Sequence, residues 1–245
     1  MFSKIPMPRV EWKKENMRFA LCALPLVGVV TGAALWIWTA LCAGAGFGKP
    51  LFAAGVLLLP LLISGGIHLD GFADTVDALS SHAAPERKRE ILKDPHAGAF
   101  AVIWVCAYLL AGFALATELT LRPGLGVLLA LIPVISRILG GLCSLLLPTA
   151  GKEGLLTTFR TGADERVAPV VLLSELAACL VALFCVNAPA VIGMLIAALA
   201  VVLVVYRMAT KQFGGMSGDL AGFAISVADL MLLGMLVLVQ KVVLV

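Results

Sequence analysis

The sequence predicts an all-α, polytopic transmembrane bundle of about seven spans with a cytoplasmic N-terminus. Three observations carry that prediction: the apolar content, the length of the apolar runs, and the alternation of basic residues between connecting segments. Of 245 residues, 61% are hydrophobic and only 13% charged, and the mean hydropathy is +1.06. Soluble domains carry about 45–50% apolar and about 25% charged residues, so lipid must solvate most of this chain. In lipid the backbone has to satisfy its own hydrogen bonds, which leaves helices or closed barrels. The apolar runs are continuous rather than alternating, which excludes a barrel.

A span needs about 20 apolar residues. Runs that meet this cover residues 19–46, 51–69, 98–116, 123–147, 167–186, 189–206 and 220–240. The first follows a basic tail, as a signal peptide does, but it is too long for one and further spans follow it, so it reads as mature structure. The break at Asn187-Ala188-Pro189 is either a tight turn or a kink. The second run passes directly into polar sequence, so six or eight spans are the alternatives. The six cysteines stand singly in apolar segments, as small hydrophobes and not as a metal or disulfide framework.

Alternate connections collect nearly all the basic residues. The tail holds Lys4, Arg9, Lys13, Lys14 and Arg18, and later segments hold Arg87, Lys88, Arg89 and Lys93, then Lys152, Arg160 and Arg166, then Arg207 and Lys211. The intervening connections have only Lys49, Arg122 and Lys241. The positive-inside rule puts the richer set in the cytoplasm. Residues 1–245 then form one integral membrane domain, with a cytoplasmic tail at 1–18 and cytoplasmic loops at 78–97, 148–166 and 207–219. Nothing in the chain points to nucleic acid, and a homo-oligomer is left open.

The most informative segment is Gly65-Gly66-Ile67-His68-Leu69-Asp70-Gly71-Phe72-Ala73-Asp74-Thr75-Val76-Asp77. On a helix, Asp70, Asp74 and Asp77 fall within about 60° of arc and share one face. Neighbours on such a face are about 5–6 Å apart, where two full charges repel by about 3 kcal/mol at an effective dielectric of 20. No Lys or Arg in the segment offsets this. The carboxylates bind a divalent cation, share protons, or lie in water at a helix end. Oxygen-only ligands favour magnesium, manganese or calcium over zinc. A solvated end does not account for three carboxylates on one face continuing an apolar run, so a metal is the preferred reading.

The charge pattern puts three further segments on the same side: Lys93-Asp94-Pro95-His96-Ala97-Gly98, Lys152-Glu153-Gly154-Leu155, and Gly214-Gly215-Met216-Ser217-Gly218-Asp219. Glycine turns that enter helices let backbone amides approach an anion; each taken alone is more often a turn with a helix cap. Arg137 falls near the middle of the fourth span, where an unpaired charge is expensive. Its candidate partners are Glu175, Asp229 and the aspartate cluster, and a salt bridge and a phosphate contact are equally open. His68 and His96 are the histidines nearest the cluster, with a helix-end role as default and proton handling as the alternative.

Taken in order, these residues resemble the cobalamin synthases (adenosylcobinamide-GDP ribazoletransferases). The resemblance covers nearly the whole chain. Ser3-Lys4-Ile5-Pro6-Met7-Pro8 is similar to the family's N-terminal stretch, and the run from His68 to Asp77 to its most specific signature. Ile91-Leu92-Lys93-Asp94 with Gly98, Ser136-Arg137, Glu153-Gly154-Leu155 and Gly214 to Asp219 match in order and spacing. Ala78, Pro95, His96, Ser217 and Ser226 depart from the family's usual residues, while Asp229 keeps a second acidic position near Ser226. The aspartate run is also similar to that of the CDP-alcohol phosphotransferases, but Asp74 stands where those enzymes carry Arg. An ion-coupled transporter is a third reading, which would distribute ionisable residues through the membrane depth.

The resemblance implies a Mg²⁺-dependent enzyme of the cell inner membrane, active on the cytoplasmic face. A hydroxyl of α-ribazole, or of its 5′-phosphate, would attack the phosphate on cobinamide in adenosylcobinamide-GDP and expel GMP. Asp70, Asp74 and Asp77 would be the metal ligands, with Asp94, Asp219 and His68 as further catalytic groups. Lys93, Arg137, Gly215 and Gly218 would contact phosphate.

Overall fold

The structure is a computed structural model and describes Ser3 and residues 17–151 and 154–243. The expected features on the N-terminal stretch beyond Ser3 and on Lys152-Glu153 lie outside the described residues. The chain is an all-α bundle. Its helices are α1 (Leu24–Ala45), α2 (Lys49–Ser64), α3 (Ile67–Ser80), α4 (Pro85–Ile91), α5 (Ala99–Glu118), α6 (Leu125–Leu146), α7 (Leu155–Gly162), α8 (Val167–Val186), α9 (Ala188–Met208) and α10 (Gly218–Val243). A π-turn at Ala209–Phe213 extends α9. Among the described residues, six helices are long and apolar enough to cross a membrane, and the bent pair α2–α3 makes up to seven.

Two helices form the middle of the bundle. Along α6 nearly every residue from Leu128 to Leu145 is buried, and α10 is mostly buried. By contrast α5 and α8 turn most of their surface outward, as helices against lipid do. The tightest pairing is α1 on α6, where Gly28 and Gly32 lie one turn apart. A Cβ on Gly28 would stand 2.4 Å from the Pro133 carbonyl oxygen, and one on Gly32 would stand 2.2 Å from that of Ala130. Such spacing lets backbones meet where no hydrophobic force drives helices together.

The second predicted span needs correction. A continuous run over 51–69 is not what forms: α2 stops at Ser64, and α3 leaves it at 95°. Gly65 and Gly66 make the corner with consecutive left-handed φ values of 71° and 83°, a pair that only glycine adopts at little cost. The corner turns α3, with its three aspartates, across the start of α10. The break near Asn187 is a tight turn. Asn187 ends α8, and its side chain caps α9 by accepting from the Ala190 N–H at 3.0 Å.

Candidate active site

All three motif aspartates fall on α3, as the spacing predicts. The charges of Asp70, Asp219 and Asp77 all act on the Asp74 carboxylate, so the structure brings a fourth acid to the triplet. Asp219 arrives on the first turn of α10 because α3 and α10 cross on two glycines. A Cβ on Gly71 would stand 2.7 Å from the Asp219 carbonyl oxygen, and one on Gly222 would stand 3.0 Å from that of His68. Ser217 caps α10 by accepting from the Leu220 N–H at 3.2 Å, which is the turn-and-cap reading of the Gly-Gly-Met-Ser-Gly-Asp segment.

Asp77 is anchored as well as clustered. Gly98, the N-cap of α5, has no side chain to cap the helix, and Asp77 Oδ1 accepts from the Ala101 N–H at 3.2 Å. A carboxylate at a helix N-terminus is favoured by the helix dipole. The fit leaves no room for a side chain at Gly98, whose Cβ would meet Asp77 Oδ1 at 2.2 Å. Gly98→Ala is therefore expected to displace Asp77 and lower turnover by about 10-fold to 100-fold, the range seen when a group that orients a metal ligand is lost. Unchanged turnover in that variant would remove Asp77 from the site.

A cavity of about 490 Å³ opens beside the cluster, with Asp70, His68, Lys93, Arg89, Ser217, Gly218 and Asp219 in its wall. Arg89 is not distinguished by the sequence, where it is one of several basic residues in a row. Tertiary contacts single it out: its Nη1 donates to the Phe213 carbonyl at 2.9 Å, and its neighbour Lys88, though buried, donates to Gln212. A Cβ on Gly214 would sit 2.8 Å from that same Nη1. Two loops close the rim, paired through the Ala150 N–H to the Met216 carbonyl at 2.9 Å and the Met216 N–H to the Pro148 carbonyl at 2.7 Å. Gly215 serves that pairing, with φ 148° and a Cβ position 2.3 Å from the Thr149 backbone. It is not in the cavity wall.

Two predicted residues stand apart. Asp94 is 55% exposed and pairs with His96 Nδ1 at 2.7 Å. The backbone N–H of His96, then its ring, hold the Asp94 carboxyl below the usual carboxylate range. Arg137 is 1% exposed inside the bundle, 3.7 Å from Asp229, and donates to the Pro133 carbonyl at 3.0 Å and Ser136 Oγ at 3.2 Å. It borders a separate interior pocket of about 80 Å³ with Tyr108, Ser226 and Asp229. His68 borders both spaces. Among the described residues, no group of three or more His, Cys, Asp or Glu side chains is placed so that it could hold a metal ion. The donor set still suits a hard divalent cation, since its four members offer only carboxylate oxygens.

The chain matches the model of the cobalamin-5-phosphate synthase family (CobS) over residues 1–237. It is 39% identical over 232 residues to an adenosylcobinamide-GDP ribazoletransferase of Lachnoclostridium phytofermentans, covering 94% of this chain and 88% of that one. A protein of the same name from Clostridium botulinum is 32% identical, covering 94% and 91%, and one from Pseudomonas entomophila is 35% identical, covering 89% and 87%. No solved structure matches the chain. With four acids clustered, two of them in the wall of one cavity, and a match that runs nearly from end to end, the chain belongs to the cobalamin-5-phosphate synthase family.

Proposed function

We propose that the chain transfers the adenosylcobinamide phosphate moiety from adenosylcobinamide-GDP to α-ribazole, or to its 5′-phosphate, with release of GMP. The observation that carries this reading is the cavity wall itself, with Asp70 and Asp219 of the acid cluster in the same wall as Arg89 and Lys93. Phosphoryl transfer is catalysed mainly by positioning and by neutralising charge on phosphate oxygens. Asp70, Asp74, Asp77 and Asp219 would hold Mg²⁺, which when bound supplies charge for the diphosphate oxygens. Arg89 and Lys93 bind phosphate oxygens directly, and the cap on α10 and the tie of Asp77 to α5 keep the carboxylates in place.

In the reaction the acceptor hydroxyl oxygen bonds to the phosphorus attached to cobinamide. The bond from that phosphorus to the bridging oxygen breaks, GMP departs with the bridge, and the hydroxyl proton passes to a carboxylate or to water. Asp94, exposed and outside the wall, is a poorer candidate for that proton than Asp219. We place the cavity on the cytoplasmic side of the inner membrane, in line with the basic residues around it.

Purified protein in detergent, given adenosylcobinamide-GDP, α-ribazole and Mg²⁺, is expected to form GMP and cobalamin in equal amounts. EDTA should stop both products and added Mg²⁺ restore them. Release of CMP from a CDP-alcohol, with no GMP from adenosylcobinamide-GDP, would assign the lipid phosphotransferase reaction instead.

A further inference from the structure

The walls of the 490 Å³ cavity differ in chemistry. One carries the charged groups, together with Ile67, Leu92 and Ile225, and comes from α3, the α4 region and the start of α10. The other is apolar except for Thr157 and comes from two places distant in sequence: Leu21 and Leu24 at the entry to α1, and Leu155, Leu156 and Phe159 on α7. Helix α7 is held there by its C-terminal turn. Arg160 donates to the Leu147 carbonyl at the end of α6, and Gly162 lies so close to Met17 that a Cβ would stand 2.7 Å from its side chain. Leu156 and Phe159 point inward, at 8% and 2% exposure, while Leu155 is 52% exposed at the first turn.

The two bases that the proposed substrates carry close to the reacting phosphates, guanine and dimethylbenzimidazole, differ in how they would meet such a wall. Guanine carries a carbonyl, a ring N–H and an amino group on its edge, and each would lose water against leucine and phenylalanine without finding a partner. Ribazole carries dimethylbenzimidazole, whose far edge is hydrocarbon with two methyl groups and which has one free ring nitrogen. A volume near 490 Å³ lies within the range of small-molecule pockets. We infer that the apolar wall of Leu21, Leu24, Leu155, Leu156 and Phe159 is the subsite for the acceptor's benzimidazole base. The ring packs beneath α7, and its ribose points toward the ionic wall where the diphosphate lies. This inference rests on the proposed reaction and adds to it the basis on which the acceptor is chosen.

The test uses the whole protein with a series of acceptors and a variant at the most exposed position. Wild type is expected to prefer α-ribazole over the riboside of unmethylated benzimidazole by about tenfold or more in kcat/KM, because two methyl groups are lost from an apolar pocket. Leu155→Asn should raise KM for α-ribazole about tenfold and narrow that preference, while KM for adenosylcobinamide-GDP stays within about twofold. A variant that raises KM for adenosylcobinamide-GDP and not for α-ribazole would overturn the assignment, as would a wild type indifferent to the base. Equilibrium binding of tritiated α-ribazole separates the two layers. Base-selective binding that Leu155→Asn weakens, with no GMP released by wild type, keeps the subsite and rejects the reaction; GMP release without base selectivity does the reverse.

Discussion

Exchanging Asp70 for Asn is expected to lower GMP release by about 10²-fold to 10³-fold, the scale on which lost transition-state charge stabilisation is felt. The same exchange should leave the purified protein folded. Asp70 stands among acids on the α3 face, where each neighbouring pair repels by about 3 kcal/mol at an effective dielectric of 20. Removing one charge relieves repulsion, so the folding effect and the activity effect have opposite signs. A lower thermal transition alongside lost activity would point to a structural role for Asp70. Asp94→Asn makes the comparison, since Asp94 is exposed, paired with His96 and outside the cavity wall. Its turnover should fall no more than about threefold, a step of under 1 kcal/mol. If the two variants lose activity equally, the cavity is not where the chemistry happens.

The second large effect concerns stability. Asp229→Leu leaves Arg137, 1% exposed in the most buried helix, without its carboxylate partner at 3.7 Å. Breaking a buried pair from one side costs about 3–5 kcal/mol, whereas replacing both members by apolar residues is often neutral or stabilising. The double variant Arg137→Leu with Asp229→Leu should therefore recover most of the loss, read as thermal unfolding in detergent. That pattern makes the pair a structural bridge beneath the site. A single variant as stable as wild type would show that Arg137 has another partner. The Pro133 carbonyl and Ser136 hydroxyl already satisfy one of its nitrogens, so the expected loss lies toward the lower end of the range.

The expected spans and the observed helices agree best where a run is long and uniformly apolar, as in α5, α6 and α8. They differ most at α2, where the apolar run continues past Gly65. A hydropathy reading does not register backbone handedness, and two glycines with positive φ end the helix although the next residues are apolar. Arg137 was legible as costly, but its partner was not, because Glu175, Asp229 and the aspartate cluster all lie at compatible positions along a helix. Asp94 looked like a site residue from its place in the chain. The loop after α4 turns it outward instead, and its carboxylate is satisfied by the next turn of its own backbone.

From the chain alone came the solvent, the all-helical class and the chemical character of α3. These follow from composition and from the repeat of one helix, both of them local. The meeting of Asp219 with the α3 acids, the tie from Asp77 to α5, the selection of Arg89 among its basic neighbours and the apolar wall beneath α7 were decided only in three dimensions. Each depends on how closely another element approaches a glycine, through the Asp219 backbone at Gly71 and through the side chains of Asp77, Arg89 and Met17 at Gly98, Gly214 and Gly162. That closeness is a property of helix pairs, and no single segment contains it.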